Sequence, residues 1–263
     1  MNFVPCAAEV LTFVPHQYPE YIDVLSSIIR SKGNHYVIVE LGSSYGTWAV
    51  RAIAALRRLY PRATYHMIAV ESGQHRYKQL LQHVKANNID NCTLLHGYVT
   101  GSRGKDELGA GVSHWQSPYA VGEPQAMTLT EVLAEHHDVD YLDFDIQGAE
   151  LDVFTDEESL QTLNAKVRAV HVGTHSPSIH EHVRAIMLGA GWVLELDLNH
   201  NPRMVMCDAT VLPSRDDEYD WLQRDETCLT GTEQGPMYVR DGLLSFYNPK
   251  FSAFYEQPFL DNL

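Results

Sequence analysis

The chain has 263 residues, 44% of them hydrophobic, which is enough for a full core, long for one domain and short for two. Its formal charge of −15, from 19 basic and 34 acidic side chains, repels phosphate backbones and excludes nucleic acid as an expected partner. No apolar run approaches the roughly 18 residues that span a bilayer, and MNFVPCAAEVLTFVPHQYPE lacks the basic cluster of a signal peptide, so a cytoplasmic protein with no membrane partner is expected.

In chain order, residues 17–31 place Tyr21, Val24, Leu25, Ile28 and Ile29 on one helical face, and Gly33 stops that helix. HYVIVELG is a β-branched run suited to a buried parallel strand, followed by a turn at Gly42–Gly46 and a helix from Thr47 to Tyr60. The alternation then repeats: TYHMIAVES as a strand, HRYKQLLQHVKANN as a helix, CTLLHGYV as a strand. Residues 101–126 are Gly- and Ser-rich and read as a loop. Thr128 and Glu131 fit a capping box that opens a helix to about His137. VDYLDFDIQG is a fourth strand, Ala149–Lys166 is mostly helical, VRAVHVGTH is a fifth strand, SIHEHVRAIMLGAG is a helix, and WVLELDL is a sixth strand. PMYVRDGLLSFYN reads as a last strand or hairpin. Strands alternating with helices imply a mostly parallel sheet covered on both faces. The expected organisation is a helical extension over 1–34 and one α/β domain over 35–263, with the acidic stretch 207–235 as an inserted lid or a contact in a homo-oligomer. Cys6, Cys92, Cys207 and Cys228 form no C-x-x-C pair, so they suggest neither a zinc site nor a disulfide framework.

Ligands of such sheets bind outside the carboxyl ends of the strands. The first strand ends in E-x-G-x-x-x-G, from Glu40 through Gly42 to Gly46, which misses the G-x-G-x-x-G of a dinucleotide fingerprint and suits a ligand without pyrophosphate. Gly42 lets the backbone approach that ligand, Gly46 lets the next helix pack, and Glu40 can face a cationic amino group. An ordinary tight turn would look the same. Glu71 ends the second strand about 30 residues after the glycine turn, where a carboxylate accepts both ribose hydroxyls. A helix-capping Glu is the alternative there.

The fourth strand is the most specific segment. Asp143 and Asp145 share one face by the period of two, Gly148 permits an unusual turn, and Glu150 opens the next helix. Two such carboxylates repel unless a cation or donor lies nearby. His171 and His175 end the adjacent strand, where either can act as a general base. With Asp145 or Glu150 they can also ligate a divalent metal, and Asp145, Glu150 and His171 are the set expected to hold Mg2+ or a similar ion. A chance pair is the alternative in a chain with 14 histidines.

In this order these segments resemble the FkbM-type methyltransferases that use S-adenosylmethionine (SAM). The resemblance covers roughly residues 36–200 and, more loosely, Pro236–Pro249. It rests on VELGSSYGTWA, on Glu71, and above all on DFDIQGAELDVF from Asp143, in which Gln147 stands where Glu is common in the family. It implies a Rossmann-like α/β fold with a mostly parallel seven-stranded sheet and an antiparallel last strand. It also implies methyl transfer to a hydroxyl of a sugar or another natural product. The implied donor site comprises Glu40, Gly42, Ser43, Tyr45, Gly46, Glu71, Ser72 and Asp143, with Tyr98 or Trp115 stacking on adenine. Asp145, His171 and His175 face a small-molecule acceptor as catalytic groups. Two other classes compete: a nicotinamide-dependent oxidoreductase, for which neither the glycine fingerprint nor a Tyr-x-x-x-Lys pair is present, and a SAM-binding protein without turnover. Transfer to nitrogen is a variant of the first reading.

Overall fold

A computed structural model describes residues 18–31, 34–102, 124–198 and 242–254. Trp115 and the stretch 207–235 lie outside the described residues. The strands form where apolar runs can be buried on both sides. Strand β1 (His35–Leu41) is buried at every position after His35 and becomes a central strand. It pairs in parallel with β2 (Thr64–Glu71) on one side and β5 (Tyr141–Phe144) on the other. Beyond β2 come β3 (Cys92–Val99) and the three-residue β4 (Gln125–Met127). Beyond β5 come β6 (Ala169–Thr174), then β8 (Gly242–Tyr247), then β7 (Val193–Leu198), with β8 antiparallel to both neighbours. The described sheet thus has eight strands, in the order β4-β3-β2-β1-β5-β6-β8-β7. It adds β4, at the end of the expected loop, to the seven strands expected. The chain leaves β1 toward β2 and later returns to its other side, so the switch point lies between β1 and β5.

Helices α1 (Tyr18–Arg30), α2 (Thr47–Leu59) and α3 (Gln74–Ala86) cover one face. Val24 and Ile28 of α1 lie in the same core cluster as Tyr36, Ile38 and Tyr141, so α1 is part of the packed domain. Helices α4 (Leu129–Val132), α5 (Glu150–Phe154), α6 (Glu157–Lys166) and α7 (Pro177–Gly189) cover the other. The Thr128–Glu131 capping box is present, but α4 ends after four residues. The long helix expected over Ala149–Lys166 is broken at Thr155, because the Asp156 carboxylate caps a new helix at the Ser159 N–H. No helix among the described residues is long and apolar enough to cross a membrane.

Candidate functional site

The turn after β1 is built by glycine and tied down by two glutamates. Gly42 (φ +76°) and Gly46 (φ +82°) take left-handed backbone conformations that cost a side chain strain. A Cβ at Gly42 would lie 1.8 Å from the Asp145 carbonyl oxygen, so the end of β1 and the end of β5 touch there. The N–H groups of Gly42 and Ser43 both donate to the Val70 carbonyl (2.9 Å each). Ser44 is itself left-handed (φ 52°), which presents its N–H to Glu71 Oε2 (2.7 Å). The other oxygen, Oε1, accepts from Gly73 N–H (2.6 Å) at the start of α3. One carboxylate therefore ties the glycine turn to the residue that precedes α3. Two of the carboxylate's roughly four lone pairs are thus taken by backbone N–H groups. Burial pushes its pKa up against those N–H donors.

Glu40 takes a different position from the one expected of a group facing an amino ligand. Its two oxygens accept from Trp48 N–H (3.0 Å) and Ala49 N–H (2.9 Å), supplying the cap that the Gly46 position cannot. Only 2% exposed, it is pushed up to about 7 by burial, against the pull of those two donors.

At the end of β5 the backbone leaves the sheet through Gln147 (φ 58°) and Gly148 (φ +103°). Fully buried Glu150 folds back to accept from Ile146 N–H (3.2 Å) and Gly148 N–H (3.0 Å to Oε2), closing that loop. Glu150 Oε1 also accepts from His175 Nδ1 (2.8 Å), and Asp145 Oδ1 lies 3.1 Å from His175 Nε2. Gln147 Nε2 donates to Asp145 Oδ1 (2.8 Å). Burial disfavours the imidazolium, but the hydrogen bonds to Asp145 and Glu150 outweigh it and raise His175 to about 10. As an imidazolium His175 donates from both ring nitrogens to the two acids; Gln147 Nε2 also lies 2.8 Å from His175 Nε2, a contact that the neutral ring would accept. Desolvation pushes Asp145 up; the His175 hydrogen bond outweighs it and holds the carboxyl below its ordinary value. The Asp145 side chain keeps 51% exposure at the strand end.

His171 lies deeper. It stands in register with Asp143 of β5 and Ser245 of β8 and is 3% exposed. Its Nδ1 donates to Asp23 Oδ2 of α1 (2.8 Å), an interaction across 148 positions of sequence. Burial opposes its charge, and the Asp23 hydrogen bond with Asp143 and Glu20 nearby raises it to about 9. Asp143 is 2% exposed, and burial pushes it well above the carboxylate range.

The expected metal set is therefore split: Asp145 and Glu150 hold His175, while His171 turns to Asp23. Among the described residues no group of three or more His, Cys, Asp and Glu side chains has the arrangement to hold a metal ion. Ser43 is buried and its Oγ has no hydrogen-bond partner. Tyr45 is 38% exposed, and its carbonyl accepts from His83 Nδ1 (2.9 Å). The Ser72 carbonyl accepts from His96 Nε2 (3.1 Å), and Tyr98 is half-buried near the end of β3. Sequence reasoning missed the contributions of α1, Glu20 and Asp23; their only local signal was two acids in a helix, which reads as a solvated face. It also missed Ser44 and Gly73 as the partners of Glu71.

This sheet order, with a glycine turn after its central strand, is that of a Rossmann-like methyltransferase fold. The family model for the methyltransferase FkbM domain matches residues 29–194, and the chain belongs to that family. A protein of Jannaschia sp. (strain CCS1) that bears a methyltransferase name is 24% identical over 192 residues, 64% of this chain. The match spans 66% of that relative, so the chain covers just under two thirds of its length. Among solved structures, methyltransferase FkbM from Methylobacillus flagellatus KT is similar over 81% of this chain and 44% of its own (12% identity, TM-score 0.45). A precorrin-6y C5,15-methyltransferase from Geobacter metallireducens GS-15 is similar over 86% and 88% (10% identity, TM-score 0.45).

Proposed function

We propose that this chain is a SAM-dependent methyltransferase whose acceptor is a hydroxyl of a small molecule or sugar-containing natural product. The observation that carries the reading is the Glu71 carboxylate clasping the glycine turn at the switch point of a family-matched sheet. SAM supplies a methyl group on a sulfonium, and the chain's part is to hold the two reactants in line, which is worth several kcal/mol of barrier. Glu71 takes the ribose hydroxyls, and Gly42 leaves the backbone open to the donor. Asp145, half-exposed beside Gly42, orients the acceptor hydroxyl and takes its proton as the oxygen bonds the methyl carbon and the carbon–sulfur bond breaks, which leaves S-adenosylhomocysteine and the methyl ether. His175 fixes the Asp145 carboxylate, and His171 closes the acceptor side from below. No step in this reading needs a metal.

The test is transfer from methyl-labelled SAM into a panel of hydroxyl, amine and carboxylate acceptors, followed by mild alkali. Label that survives alkali and appears only in hydroxyl acceptors supports ether formation. Label released by alkali, or found in acceptors without hydroxyls, contradicts it.

A further inference from the structure

The sheet face under α1 carries a row of buried polar groups, of which the proposed reaction uses only His171, as a wall. Glu40, Asp143, His171 and Ser245 stand side by side on β1, β5, β6 and β8, none more than 3% exposed. Tyr141, two residues before Asp143, lies on the same face and is 2% exposed. Helix α1 closes over this row with Glu20 and Asp23, and Asp23 pairs with His171. Three atoms on this face and on the helix over it are buried without a hydrogen-bond partner: Glu20 Oε2, Tyr141 Oη and Ser245 Oγ. They come from three separate elements, and buried polar atoms are paired in the great majority of cases. Glu20, Asp23 and Asp143 face one imidazolium, and burial pushes Glu20 up to about 7 and Asp143 well up, so a cation placed among them would favour their ionised forms. The chamber adjoins the donor side, because Asp145 follows two residues after Asp143 and its carbonyl abuts Gly42. Glu20 and Asp23 precede the family-matched residues 29–194, so they belong to this chain's own N-terminal helix.

We propose that this chamber receives an ammonium group carried by the methyl acceptor, so that the substrate is an amino alcohol or amino sugar. The assignment rests on the methyltransferase reading. An ammonium has three N–H donors and no acceptor, which suits three orphaned oxygens and a surplus of carboxyl groups. A neutral hydroxyl brings one donor for three oxygens and does not stabilise the ionised carboxylates.

The test uses the full chain, with and without S-adenosylhomocysteine, and matched probes: glucosamine against glucose, and ethanolamine against ethylene glycol, read by calorimetry and saturation-transfer NMR. The amines bind at least about tenfold more tightly than their neutral partners, and Glu20→Gln lowers amine affinity about tenfold, as expected for a lost charged hydrogen bond. Tyr141→Phe, which removes only an orphaned hydroxyl, keeps the fold and weakens the amines less. S-adenosylhomocysteine affinity stays at the wild-type value in both variants. Equal binding of glucose and glucosamine, or no amine binding, overturns the proposal. So does a Glu20→Gln variant that weakens S-adenosylhomocysteine instead, since the ammonium would then be the donor's own. A chain that binds amines but no S-adenosylhomocysteine contradicts the methyltransferase reading and leaves the chamber standing.

Discussion

A methyl group on Gly42 has nowhere to go: its ideal position is 1.8 Å from a backbone oxygen, and the residue's φ is +76°. Backbone cannot swing aside as a side chain can. Gly42→Ala is therefore expected to lower unfolding free energy by more than the roughly 1–3 kcal/mol of conformational strain alone, and to abolish donor binding. Gly148→Ala is the control, since its φ is +103° but nothing lies within 4 Å of the added carbon. Urea denaturation of both variants decides: equal losses would mean that the clash with Asp145 is relieved. His175 gives a second prediction at this scale. Its pKa rises from 6.5 to about 10 on folding, chiefly through its hydrogen bonds to Asp145 and Glu150 outweighing burial. A raised folded pKa adds stability that is complete below pH 6.5 and lost as pH climbs through about 10. Between these limits wild type should lose stability with rising pH more steeply than His175→Gln, in denaturation curves taken at half-unit steps. Parallel slopes would show that His175 is not charged in the fold.

At the scale of elements, α1 is held mainly by its apolar stripe. Ile28 is fully buried against β1 and α2 residues, so Ile28→Ala should cost about 2–5 kcal/mol. The Arg30–Glu195 pair is bidentate but its side chains keep 17% and 28% exposure, and exposed pairs are screened, so Arg30→Ala should cost about 1 kcal/mol or less. Chemical denaturation separates the two, and a larger loss for Arg30→Ala would reverse the ranking. The same element marks the limit of what the sequence made legible. The apolar positions of α1 follow a 3.6-residue period and were readable. That Glu20 and Asp23 meet Tyr141 and His171 depends on where α1 lands on the sheet, and no local pattern carries that. Likewise Asp156 as a helix start had a local signature, an acid followed by two more acids and Ser159, which the apolar periodicity of 149–166 obscured.

Across the whole molecule, the alternation of strands and helices and the glycine turn were legible, because both depend on short-range rules. The antiparallel strand was legible as an element, but its insertion between β6 and β7 was not, since pairing partners are chosen by tertiary packing. The carboxylates were readable as a group and not in their roles. Glu40 turned inward to cap α2, while Glu71 stayed at the edge, and only the path of the backbone distinguishes them. Titration of SAM by calorimetry into wild type and Glu71→Ala, with NAD as a control, tests the central claim most directly. The account predicts SAM binding that Glu71→Ala weakens by about 1–3 kcal/mol through lost charge-assisted hydrogen bonds, and no comparable heat from NAD. No SAM binding, or tighter binding of NAD, would contradict it.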